Sequence, residues 1–118
     1  MNNVKKQLLF ICANGLDRSS TAEELFEDSE EIEARSAGFF PIRDSKKITN
    51  QLIRWASTII VMDEKNEFQK TQLLQKFPDA EEKEIIVLGI PDDFSKGDEN
   101  LKKLLKLNLK KEVICNLN

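Results

Sequence analysis

Four short apolar runs, each followed by a stretch of helix-forming residues, constrain this chain more than any single residue does. Gln7–Ala13 (QLLFICA) is nearly continuous in apolar side chains and reads as a strand buried on both faces. Ile32–Phe40 alternates and stops at Pro41, Thr58–Met62 (TIIVM) is β-branched and apolar, and Ile85–Ile90 (IIVLGI) is closed by Pro91. Between them, Ser19–Asp28 carries Ala22, Leu25 and Phe26 on one face, and Ser20 with Glu23 has capping-box spacing. Ile48–Ala56 places Ile48, Leu52 and Trp55 at helical spacing, so Trp55 is expected in the core. Asp63 is expected to cap a third helix running through Leu73 to Phe77, with Met62, Asp63 and Glu64 read as a strand end and cap. Leu101, Leu104, Leu105 and Leu109 mark a last helix from which Leu107 falls away. Strand and helix alternating four times predict an α/β fold: a four-stranded parallel sheet with helices on both faces. Ligands in such sheets bind beyond the carboxyl ends of the strands.

The chain has 118 residues, which sets the expectation of a single domain over 1–118. Its net charge of -3 argues against a nucleic-acid surface. The lysines of Lys102–Lys111 alternate with leucines and read as the solvated side of a helix. No apolar run approaches the roughly 18 residues of a membrane span, and no signal-peptide pattern opens the chain, so a cytoplasmic protein without membrane contact is expected. Histidine is absent, which removes His-based triads, His-ligated zinc and imidazole proton shuttles. The two cysteines, Cys12 and Cys115, form no CxxC pair, and Cys115 reads as incidental. Any enzyme here works through Cys, Asp, Glu, Lys or Ser, and no metal or cofactor is expected.

Cys12 ends the first strand, and Arg18 follows after Ala13, Asn14, Gly15, Leu16 and Asp17. At a strand-to-helix junction, successive backbone N–H groups converge into a cradle for a tetrahedral anion. A cysteine at its floor is held as thiolate, and an arginine closing the loop offers a planar fork to two phosphate oxygens. These parts make a phosphate-binding loop with a nucleophile that needs no imidazole. The bland alternative is a core cysteine and a surface arginine.

The stretch LLFICANGLDRSSTAEELF, together with ARSAG (Ala34–Gly38), WASTIIVMDEKN (Trp55–Asn66) and IPDDF (Ile90–Phe94), resembles the low-molecular-weight protein tyrosine phosphatases, especially their short bacterial branch. The resemblance covers most of the chain in order. It implies hydrolysis of a phosphomonoester, phosphotyrosine on a protein above all, through a phosphocysteine intermediate, by a monomer that releases inorganic phosphate. In that reading Cys12 is the nucleophile, Arg18 the phosphate clamp and Ser19 the hydroxyl that bonds the thiolate. The backbone amides from Ala13 to Arg18 form the cradle, and Asp92 is the general acid, with Asp93 a close competitor.

Several positions depart from the family pattern. Asn14-Gly15 reverses the usual order, so Gly15 is expected to take a left-handed turn. Asp17 puts a carboxylate into a loop built for an anion, harmless if it points outward. Phe94 stands where the family often carries tyrosine, so the aromatic wall for a substrate ring falls to Phe94, Phe39 or Phe40. Two alternatives accompany this reading. One is an anion-binding regulatory module that has lost turnover. The other is arsenate reduction, disfavoured because no cysteine lies between Cys12 and Cys115.

Overall fold

In a computed structural model, described over residues 5–112, the four apolar runs become β1 (Lys6–Cys12), β2 (Ile32–Gly38), β3 (Thr58–Val61) and β4 (Glu84–Val87). All pairings are parallel, in the order β2-β1-β3-β4. The helices between them are α1 (Arg18–Glu24), α2 (Asn50–Trp55), α3 (Gln69–Lys76) and α4 (Glu99–Glu112). Single 3-10 turns occupy Asp44–Lys46 and Pro78–Glu82.

Strand periodicity divides the run of β1 between two cores. Leu8, Phe10 and Cys12 face Ala22 of α1 and Leu101, Leu105 and Leu109 of α4. Leu9 and Ile11 face Ile53 of α2, Leu73 of α3 and Ala80. Helices therefore cover both faces, as the alternation of the sequence requires. Because β2 and β3 flank β1 on opposite sides, the chain reverses direction across the sheet at the carboxyl end of β1, where Cys12 sits. A crevice opens at such a point because the connections on either side leave toward opposite faces.

Several local expectations are corrected. The capping box of Ser20 and Glu23 does not form. Helix α1 starts at Arg18 behind Asp17, Ser20 is buried inside it, and the Glu23 carboxylate instead accepts from Ser36 Oγ at 2.5 Å and pairs with Lys46 at 3.6 Å. The helix also ends at Glu24, and residues 25–28 continue only as turns. Trp55 is half-buried at the edge of its core rather than inside it, with the Arg35 guanidinium 4.2 Å over its ring. Asp63 does not cap α3, which begins at Gln69; its Oδ2 accepts from the N–H groups of Asn66 and Glu67 in the preceding loop. The last helix is longer than its leucine stripe, with Asp98 Oδ1 accepting from Asn100 and Leu101 N–H, and Leu107 is exposed as expected. The tail from Val113, including Cys115, lies outside the described residues.

Candidate active site

The loop of residues 13–17 folds tightly because two glycines meet. Gly15 takes φ +75, the left-handed conformation expected of it, with the backbone of Ala37 and Gly38 against it. A Cβ on Gly38 would collide with Gly15 N and the Asn14 carbonyl carbon, so the end of β2 passes directly beneath the loop. Backbone bonds from Phe39 N–H to Cys12 O (3.1 Å) and Phe40 N–H to Ala13 O (2.7 Å) fasten the two.

Cys12 lies buried at the loop's floor, with its Sγ 3.1 Å from Ser19 Oγ and accepting from Ser19 N–H at 3.5 Å. The Asn14 side chain folds back over the same place. Its Oδ1 accepts from Leu16 N–H at 2.8 Å and Asp17 N–H at 3.2 Å, and lies 3.7 Å from Cys12 Sγ. A neutral amide oxygen thus gathers two of the N–H groups that an anion would use. Asn14 Nδ2 donates to Asp17 Oδ2 at 3.0 Å, so the carboxylate expected to be either harmful or harmless is bonded within the loop.

Arg18 is not a surface residue: its side chain is 1% exposed. Nη1 donates to Glu67 Oε2 at 2.7 Å and to the Ile90 carbonyl at 2.8 Å, and Nη2 donates to Glu67 Oε1 at 2.8 Å. Asp92 Oδ1 stands 3.5 Å from Nη2. Nε is buried and, among the described residues, has no partner. Burial works against the guanidinium charge, but the bonds and charge of Glu67, with Asp92 and Cys12 adding to them, raise the Arg18 pKa above its ordinary value.

Cys12 and Ser19 therefore touch, Arg18 lies near enough to Cys12 for their charges to interact, and Asp92, whose side chain is 56% exposed, reaches the Arg18 guanidinium from the loop after β4. Asp93 is exposed and forms no ion pair among the described residues. The candidate aromatics separate. Phe94 packs half-buried against the core shared with α4, Phe39 against the opposite core, and Phe40 stays 66% exposed. Lys76 Nζ lies 5.3 Å from the centre of the Phe40 ring. Sequence reasoning missed Glu67. A buried arginine demands a carboxylate, but with 21 acidic residues the sequence does not say which.

No profile of a known protein family matches the chain, and no curated protein sequence does. Solved structures do. Tyrosine phosphatase Wzb from Escherichia coli K30, in complex with phosphate, superposes with TM-score 0.68 at 22% identity, covering 92% of this chain and 96% of its own. YwlE arginine phosphatase from Geobacillus stearothermophilus gives 0.66 at 21%, covering 90% and 92%. The thioredoxin-dependent arsenate reductase of Corynebacterium glutamicum gives 0.58 at 19%, covering 94% of this chain but 60% of its own. The chain therefore shares the fold of these solved phosphatases.

Proposed function

We propose that the chain is a cysteine-dependent phosphatase of the low-molecular-weight type, acting on phosphomonoesters and on protein phosphotyrosine in particular. The observation that carries the reading is the convergence of Cys12 Sγ, Ser19 Oγ, the buried Arg18 guanidinium and the Asp92 carboxylate at the carboxyl ends of β1 and β4. The loop amides and Arg18 hold the three peripheral phosphate oxygens, and Cys12 Sγ attacks phosphorus opposite the ester oxygen. As the S–P bond forms and the P–O bond breaks, Asp92 gives its proton to the departing oxygen. The Asp92 carboxylate then takes a proton from water, the resulting hydroxide attacks phosphorus, and the S–P bond breaks to release inorganic phosphate. Ser19 stabilises the thiolate as it leaves.

In this reading the substrate ring rests on Phe40, with Phe94 shaping the acid loop behind it. The enzyme is a cytoplasmic monomer working without metal or cofactor. Among the described residues no helix is long and apolar enough to cross a membrane. Hydrolysis of p-nitrophenyl phosphate, inhibited by vanadate, is the expected outcome. Vanadate binding without hydrolysis would favour an anion-binding module instead, a reading supported by the Asn14 oxygen on the Leu16 and Asp17 amides. Arsenate reduction lacks the thiols to support it, because no cysteine lies between Cys12 and Cys115.

A further inference from the structure

A guanidinium group presents its N–H donors along separate edges, and the bonds of Arg18 divide those edges cleanly. Glu67 takes the end-on edge with both carboxylate oxygens, one on Nη1 and one on Nη2. The remaining Nη1 hydrogen goes to the Ile90 carbonyl. What is left is the lateral edge: Nε–H, buried and without a partner among the described residues, and the parallel hydrogen on Nη2, beside Asp92 at 3.5 Å. Two parallel donors on one planar edge match two oxygens of a tetrahedral anion. From this division we infer that Glu67 is the positioning residue of the site. It fixes the Arg18 guanidinium so that the Nε/Nη2 edge, and no other, is presented to the phosphate. The inference rests on the phosphatase reading and adds to it the residue that orients the clamp.

The loop before α3 is built around this carboxylate. Asp63 Oδ2 accepts from the N–H of Glu67 at 2.7 Å, and Gln72 Nε2 donates to the Glu67 carbonyl at 2.7 Å. Gln69, itself buried, donates from Nε2 to Glu67 Oε1 at 3.0 Å, while its Oε1 accepts from Met62 and Asp63 N–H at the end of β3. The next residue, Phe68, is held at φ 53 with its ring exposed, a left-handed conformation that a bulky residue adopts only where surrounding bonds dictate it. Backbone, carboxylate and one oxygen's second lone pair are all engaged, which a merely solvent-facing glutamate would not require. The same carboxylate offsets the cost of burying the arginine's charge.

The test measures how well vanadate protects Cys12 from alkylation by iodoacetamide, alongside turnover of p-nitrophenyl phosphate. Glu67→Gln keeps the shape but turns an amide N–H toward an Arg18 N–H, releasing the guanidinium. Vanadate protection is expected to weaken by about tenfold or more, with the loss appearing in kcat/KM, while alkylation without vanadate stays within about twofold of the parent. Glu67→Asp, which retains the charge, should recover part of the loss. It also serves if the glutamine variant does not fold. In an Arg18→Lys background, which has no lateral edge, Glu67→Gln should cost nothing further. Equal protection in parent and Glu67→Gln would overturn the positioning role, as would tighter protection, which would make Glu67 a competitor of the anion. An additive loss in the Arg18→Lys background would overturn it too. A parent that vanadate does not protect would instead overturn the phosphatase reading, and the clamp with it.

Discussion

Asn14 and Asp17 are tied to each other across the mouth of the loop, Nδ2 donating to Oδ2 at 3.0 Å, while the oxygen of the same amide collects the N–H groups of Leu16 and Asp17. Two of the loop's backbone donors are therefore taken up by its own side chain. On the phosphatase reading, a phosphate replaces the Asn14 oxygen at those amides, and the Asp17 carboxylate both steadies that oxygen and repels the anion. Asp17→Asn removes the charge and weakens the tie, so vanadate should bind about threefold to tenfold more tightly. Titration calorimetry on both proteins checks this. Weaker binding in Asp17→Asn would show that the tie organises the cradle more than it obstructs it.

The nucleophile is tested separately. Cys12→Ser leaves the amides and Arg18 in place but replaces a thiolate with a hydroxyl, so phosphate release should fall below detection while vanadate binding persists. Turnover within about tenfold of the parent, only ~1.4 kcal/mol of barrier, would exclude covalent catalysis at Cys12.

The contact between Gly38 and the loop yields a stability prediction. A Cβ at Gly38 would strike the backbone of Asn14 and Gly15, and neither can move without opening the loop. Gly38→Ala should cost about 1–3 kcal/mol, a fall in Tm of roughly 5–15 °C, and should weaken vanadate binding. Thr49→Ala is the control. It removes the Oγ1 that accepts from Leu52 N–H at the start of α2, for about 1 kcal/mol, and should leave binding unchanged. Thermal unfolding and calorimetry on the two variants separate a loop defect from a general loss of stability.

Periodicity made the sheet legible and left the loops obscure. The run Leu8–Cys12 is apolar at every position because both faces of β1 are covered, and that signal survives without any tertiary information. The capping box of Ser20 and Glu23 is a local signal that the structure does not use. A tertiary demand overrides it, namely the need to bring Arg18 inward behind Cys12. Glu67 was invisible for a related reason. Its partner lies 49 residues away, and the left-handed Phe68 that turns the loop toward Arg18 is a residue type that ordinarily refuses that conformation. Spacing singled out Cys12 and Arg18 as candidates; only the packing of the loop after β3 reveals what holds the arginine.

The two adjacent acids after Pro91 can be separated by leaving group. Asp92 Oδ1 stands 3.5 Å from Arg18 Nη2, whereas Asp93 forms no such pair among the described residues. A general acid matters most when the leaving oxygen is a poor one, because protonation then relieves the charge that limits the rate. Phenyl phosphate expels a far more basic phenoxide than p-nitrophenyl phosphate does. Asp92→Asn should therefore slow the phenyl ester by roughly 10²–10⁴-fold and the nitrophenyl ester distinctly less. Asp93→Asn should change both esters alike and slightly. Turnover of both esters by both variants decides the matter: leaving-group dependence in Asp93→Asn alone would exchange the roles, and its absence from both would place the proton donor outside this loop.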